Sequence, residues 1–317
     1  MPAETAAEGA PAGVGAEGTA RPAAGSPARP DAGPPAALSV GLWSMLGETR
    51  TVAALAGSGF DWLCLDAQHG HYDDAAMRSG LDAVTAVSPA TQRWVRVRSA
   101  DPGLIGRALD AGADGVIVPL VDSAAQAAAA VRASYYPPLG ARSTGPTLSA
   151  PRAVAAPAQT AAPAERVGAP GAGAAAAPDG AAARDGDRAA PAYTGPRTPG
   201  EVNASVRLAI MIETPQALEE LEAIASTPGV SCLFVGPFDL ALSLGTTVPA
   251  LLADESAASP LTRVVAAARA TGVAAGAFGG DPATARALAA RGFTFVAAAT
   301  DTAALAAGAT TLRAALD

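Results

Sequence analysis

Between Phe60 and Asp66 the chain reads FDWLCLD, an almost unbroken apolar run that closes on an acid. Runs of related texture recur as RWVRV (93–97), GVIVP (115–119), VRLAIMIE (206–213) and SCLFVG (231–236). A strand with one wet face alternates apolar and polar residues. A strand covered on both faces does not, and that is the pattern of parallel sheets packed under helices. Working outward, LSVGLWS (38–44) precedes these runs, and Val273–Ala277 and Thr294–Ala298 follow them, which makes eight in all. Helical stretches lie between: one containing Thr51–Gly57, then Asp73–Val87, Pro102–Ala111, Ser123–Ser134, Pro215–Ser226, Val264–Thr271 and Leu305–Leu316. GSGFD (57–61), GADG (112–115) and RGFTF (291–295) place Gly between a helix and the next strand, as a helix C-cap requires. The alternation predicts an α/β fold, a (β/α)8 TIM barrel over 37–317. An open doubly wound sheet would carry a Gly-rich phosphate turn after its first strand, and none is present.

Two segments stand outside this pattern. Residues 1–36 contain 25 Ala, Pro or Gly, and residues 151–191 contain 29 in 41 positions. Neither holds enough large apolar side chains to offset the entropy of ordering, so a disordered tail (1–36) and a disordered insertion at about 147–200 are expected. The remaining 240 residues match one barrel of about 250. A net charge of −8 argues against nucleic acid and against an anionic membrane surface. No apolar run approaches the ~20 residues of a membrane span. Cys64 and Cys232, far apart and each inside an apolar run, suit a reduced cytoplasmic protein. With two Cys and two His, a Cys/His zinc cage is nearly excluded.

Function in such a barrel collects at the C-terminal ends of the strands. Read in order, those ends give Trp43, then Asp66 with Gln68 and His69, then Arg96, Pro119, Glu213, and Gly236-Pro237-Phe238-Asp239. Glu213 and Asp239 end adjacent strands, so they form either an acid/base pair or two ligands for a hard divalent cation. The plainer reading makes each a helix cap or the partner of an arginine. His69 suits proton transfer near neutrality. His71 is expected to be a solvent-facing loop residue. Arg96 offers a planar fork to a carboxylate or an oxyanion, or alternatively pairs with Asp66.

The segments GLWSMLG (41–47), AGSGFDWLCLDAQHG (56–70), VRV (95–97), LDAGADGVIVPLVDSAAQAAAAVRASYYPPLGARSTG (109–145), IMIETPQALEELEAIASTPGVSCLFVGPFDLALSLG (210–245) and FVAAATDTAAL (295–305) resemble the HpcH/HpaI aldolase family. These are metal-dependent class II pyruvate aldolases acting on 4-hydroxy-2-oxo acids. The resemblance covers 38–316 apart from the insertion, and the tail has no counterpart. It implies that Glu213 and Asp239 hold a divalent metal cation (Mg2+, Mn2+ or Co2+), that His69 belongs to the catalytic base region, and that Arg96 meets the keto or enolate oxygen. It further implies that Asp110 orients His69, often from a neighbouring subunit, and that Trp43 forms a wall of the site. The backbone around Phe238 and Asp239 matches a cradle for the substrate carboxylate. Four positions depart from the family pattern: Gln68 stands where an acid is usual, Met211 where a Gln is common, Phe238 where Ala or Ser is usual, and Ser143 where Gly is usual.

The expected activity is carbon–carbon lyase chemistry, joining or releasing a pyruvate enolate and an aldehyde. A 2-oxo-diacid decarboxylase would use the same enolate. A Claisen-type lyase acting on acyl-CoA would need a basic patch that the sequence lacks. A non-catalytic barrel would explain Gln68, Met211 and Phe238. The small-molecule partners are a 2-oxo acid and an aldehyde. A homo-oligomer is implied by the resemblance, commonly a hexamer of dimers that exchange the C-terminal helix. Leu305, Leu312 and Leu316 form a modest apolar stripe there.

Overall fold

The computed structural model describes residues 37–144 and 197–316. Eight parallel strands close into a barrel in sequence order. They are β1 (Ser39–Ser44), β2 (Trp62–Asp66), β3 (Gln92–Arg96), β4 (Gly115–Val118), β5 (Arg207–Ile212), β6 (Cys232–Val235), β7 (Ala274–Phe278) and β8 (Phe295–Thr300). The helices are α1 (Thr49–Ala56), α2 (Asp74–Val87), α3 (Pro102–Asp110), α4 (Ala124–Ser134), α5 (Pro199–Ser205), α6 (Pro215–Glu219), α7 (Leu221–Ser226), α8 (Pro237–Ser243), α9 (Val248–Ala253), α10 (Pro260–Thr271), α11 (Pro282–Ala290) and α12 (Asp301–Ala314). The predicted TIM barrel is therefore the fold, with every expected strand in place within two residues. No described helix is long and apolar enough to cross a membrane.

Strand parity divides the core in two. Trp43, Trp62, Cys64, Trp94, Ile117, Ala209, Met211, Cys232, Phe234, Phe295 and Ala297 form the cluster inside the barrel. Their neighbours in sequence, among them Leu42, Leu63, Leu65, Val95, Val116, Leu208, Ile210 and Leu233, face the helices. Because side chains alternate with period two, continuing each inward row upward puts Asp66, Arg96, Glu213 and Gly236 over the barrel mouth. The site is thus the polar layer above an apolar stack. Aromatic rings fill that stack, with Trp62 and Phe295 stacked at 4.0 Å. Gly41 admits the Trp62 ring: a Cβ there would lie 2.1 Å from it.

The helices differ more from expectation than the strands. The stretch 215–226 is two helices, with Glu220 at φ −92° and ψ 9° between them. The helix expected from Val264 begins at Pro260, and α8, α9 and α11 were not anticipated. Of the expected insertion, Arg197, Thr198, Pro199 and Gly200 lie in the described part, where the last two open α5 rather than being disordered. Thr198 caps α5 through a reciprocal box with Glu201. The expected disorder of 1–36, and of the insertion as far as residue 196, lies outside the described residues.

Candidate active site

Asp66 is the hub of the barrel mouth. It is fully buried at the end of β2. Arg96, at the end of the neighbouring strand, donates to it twice: Nε to Oδ1 at 2.9 Å and Nη2 to Oδ2 at 2.5 Å. The Trp43 indole N–H donates to Oδ2 at 3.1 Å. The backbone N–H groups of Gln68 and His69 donate to Oδ1 at 3.0 and 3.2 Å. Burial alone would raise the Asp66 pKa, but the bidentate guanidinium and the other donors hold it below its ordinary value. The Arg96 guanidinium also lies 5.1 Å from the centre of the Trp43 ring, a cation–π contact. The plainer sequence reading of Arg96, an ion pair with Asp66, is realised. The pair uses two of the five guanidinium N–H groups, which leaves donors for a ligand.

Glu213 and Asp239 converge on Gly236. A Cβ built on that glycine would lie 3.2 Å from Glu213 Oε2 and 3.6 Å from Asp239 Oδ2, and 2.9 Å from Met211 Cε. A side chain there would crowd Met211 and Glu213, and the glycine leaves that space free. Glu213 is nearly buried, whereas Asp239 is exposed in the first turn of α8. Burial raises the Glu213 pKa most. The Leu120 N–H, donating to Oε1 at 2.8 Å, opposes the rise, and the Asp239 charge adds to it. Leu120 adopts φ +57°, uncommon for a residue with a side chain. The strained backbone aims its N–H at Glu213. Among the described residues no group of three or more His, Cys, Asp or Glu is placed to hold a metal ion. The donor set offered is two carboxylates, one of them destabilised by the other's charge.

An aromatic wall flanks these groups. Trp43 packs edge-on to Phe278 at 5.3 Å and against Phe234 at 5.7 Å. Phe238, 61% exposed beside Asp239, reaches Phe278 at 6.3 Å. Met211 is buried inside the barrel beneath the carboxylates. Gln68 keeps Oε1 buried with no hydrogen-bond partner among the described residues. His69 and His71 are both exposed, as expected of the second.

Asp110 does not join this group within one chain. It is the last residue of α3, a helix that runs back from the strand C-termini to the opposite rim. There it pairs with Arg142 at 2.5 Å. The sequence reading listed Asp66 among the strand-end residues with no role beyond a partner for Arg96, and it missed Arg98, which donates to the Ala67 and Tyr72 carbonyls on either side of His69, and the buried Asp301. The signal for Asp66 was visible in FDWLCLD: a charged residue on the inward parity of a buried strand. The two cysteines are buried and free. Burial raises both thiol pKa values, so neither is a nucleophile here.

The C-terminal mouth of the closed parallel barrel thus carries an Asp–Arg pair, a loop histidine and two convergent carboxylates. The chain matches the HpcH/HpaI aldolase/citrate lyase family over residues 39–307. It is 38% identical over 261 residues to a hydroxypyruvate/pyruvate aldolase of Paraburkholderia phytofirmans, covering 82% of this chain and 86% of that one. It is 33% identical over 277 residues to a hydroxypyruvate/pyruvate aldolase of Deinococcus radiodurans, covering 87% and 84%. A crystal structure of an HpcH/HpaI aldolase/citrate lyase family protein from Burkholderia cenocepacia superposes with a TM-score of 0.68 at 30% identity, covering 89% of this chain and 95% of that one. The chain belongs to the HpcH/HpaI aldolase/citrate lyase family, and its class is that of an aldolase, a carbon–carbon lyase.

Proposed function

We propose that the protein is a metal-dependent class II aldolase that cleaves 4-hydroxy-2-oxo acids to pyruvate and an aldehyde, or joins the two. The observation that carries this is the approach of Glu213 Oε2 and Asp239 Oδ2 over Gly236. Two acids so placed, with the Glu213 pKa raised partly by the Asp239 charge, fit a divalent cation. A hard cation takes carboxylate oxygens and keeps positions for water and substrate. The metal proposed is Mg2+, Mn2+ or Co2+. When bound, such an ion supplies Lewis-acid polarisation of the 2-oxo group.

The chain's own residues supply the rest. In cleavage the 4-hydroxyl proton leaves, the C3–C4 bond breaks, and its electrons pass to the C2 oxygen. The aldehyde departs, and C3 of the enolate then takes a proton to become the pyruvate methyl group. His69, at the rim and open to substrate, is assigned the proton transfers. Arg96 is assigned the C2 oxygen through the N–H groups that Asp66 leaves free. Trp43, Met211 and Phe238 wall the substrate, with Gln68 Oε1 as an acceptor for it. The proposed role of Asp110 beside His69 requires a second copy of the chain, because its own fold places it at the far rim. A homo-oligomer, a hexamer by family resemblance, is proposed with the protein in the cytoplasm. The apolar residues at the C-terminus fit: Leu305 and Leu312 of α12, and Leu316 just beyond its end, are 52%, 73% and 82% exposed in one chain.

The test is a panel of 4-hydroxy-2-oxo acids assayed for pyruvate release with and without chelator. Cleavage that chelator abolishes and added metal restores is expected. Cleavage indifferent to chelator would overturn the metal assignment, and no cleavage of any member would overturn the aldol reading.

A further inference from the structure

The loop that carries His69 is fastened along its length, and the fastenings lead to a carboxylate that the proposed chemistry does not use. Arg98, just beyond β3, donates from Nε to the Ala67 carbonyl at 3.0 Å and from Nη2 to the Tyr72 carbonyl at 3.3 Å, so it spans His69. The His71 N–H donates to the Met45 carbonyl at 2.8 Å. A Cβ on Gly70 would lie 2.4 Å from the Asp66 carbonyl oxygen and 2.9 Å from that of Met45, so the loop lies directly on the β1–α1 turn. That turn is held in its own right. Asp301 Oδ2 accepts from the N–H groups of Met45 and Leu46 at 2.8 and 3.0 Å, and from Ser44 Oγ at 2.7 Å. Ser44 Oγ and the Tyr72 hydroxyl lie 2.6 Å apart. Since the single Ser44 proton goes to the carboxylate, the Tyr72 O–H donates to Ser44. Asp301 and Ser44 are wholly buried and Tyr72 nearly so. Among the described residues Asp301 has no ion-pair partner within salt-bridge distance. Its charge rests on these donors and on the first turn of α12.

We infer that Asp301, acting through Ser44 and Tyr72, is a positioning residue for His69. The inference rests on the proposed role of His69 in proton transfer. Asp66 fixes the loop where it leaves β2, and the Asp301–Ser44–Tyr72 relay fixes it three residues after His69. A tie serving only the fold would need β1 and α12 alone. This one extends to a hydroxyl on the loop that bears the base. The Tyr72 ring packs in the core either way, so Tyr72→Phe removes one oxygen and leaves the packing.

The test uses pyruvate methyl-proton exchange in deuterated water together with imidazole NMR. The chain has two histidines, so a His71→Asn variant assigns both signals. Tyr72→Phe is expected to fold, to slow exchange about tenfold or more through misplacement of the base, and to leave the pyruvate KM within about twofold. It is also expected to shift or broaden the His69 signal. In Ser44→Ala/Tyr72→Phe the loss should be no greater than the larger single loss, because the two hydroxyls act in series. A folded Tyr72→Phe protein with exchange within twofold of wild type and an unmoved His69 signal overturns the inference. Should the wild type exchange no pyruvate protons, the aldolase reading fails, and the His69 signal alone then decides the positioning role.

Discussion

Replacing Asp66 by Asn keeps the volume and removes the charge on which the barrel mouth is built. The substitution leaves Arg96, 8% exposed, without its bidentate partner. Breaking one half of a buried ion pair costs about 3–5 kcal/mol. Burial raises the Glu213 pKa and the nearby Arg96 charge opposes that rise, so Arg96 keeps some compensation from Glu213 and the lower end, about 3 kcal/mol, is expected. For a domain of this size that corresponds to a fall in Tm of about 6–12 °C. The sign with pH follows from the depressed pKa of Asp66. Its stabilisation is complete above the unfolded-state pKa and is lost as pH falls through the folded one. The deficit of Asp66→Asn should therefore be full at neutrality and shrink in acid. Urea titrations at neutral and acid pH measure it, and Arg96→Met in the Asn background should recover part of the loss by removing the stranded charge. A neutral-pH deficit under about 0.5 kcal/mol, or one that grows in acid, would show that the Asp66–Arg96 pair does not organise this mouth.

Three further outcomes are expected. Phe238 is exposed, so Phe238→Ala should change stability by less than about 0.5 kcal/mol while admitting bulkier aldehydes in a competitive acceptor panel; unchanged selectivity would remove Phe238 from the acceptor wall. Metal affinity measured by calorimetry should fall as pH drops through the raised pKa of Glu213, beginning above the ordinary carboxylate range because the protonated acid is no ligand; affinity flat down to the ordinary Glu value would contradict the assignment. Light scattering should give a mass several times that of the 30.8 kDa chain, and Leu312→Glu, at an exposed position of α12, should lower it; a fully active monomer would refute both the assembly and the shared role of Asp110.

The strands could be read from the sequence because burial on both faces leaves a continuous apolar run, and parity then carries Asp66, Arg96 and Glu213 to the mouth. The helices were less legible. Those that begin Asp281-Pro282 and Gly236-Pro237 look like breaks when Pro is taken as punctuation, yet Pro fits the first turn of a helix. The Ala-rich α11 carries too few large apolar residues to show a clear 3.6 period. The convergence of Glu213 and Asp239 was suggested by their places on adjacent strands, but the space held open by Gly236 needed coordinates. Asp301 was out of reach altogether. Its partner Ser44 is 257 positions away, and closure of the barrel by β8 against β1 brings them together. Asp110 shows the reverse case, a position that the motif singled out but that one chain cannot bring to the site.

In the proposed function, Glu213 and Asp239 hold the ion that lets this barrel enolise pyruvate. Exchange of pyruvate methyl protons in deuterated water, followed by NMR for wild type, chelated wild type and Glu213→Gln, tests it before any aldehyde is chosen. Metal-dependent exchange in the wild type, absent with chelator and absent in a folded Glu213→Gln protein, is the predicted result. Equal exchange in all three samples would contradict it.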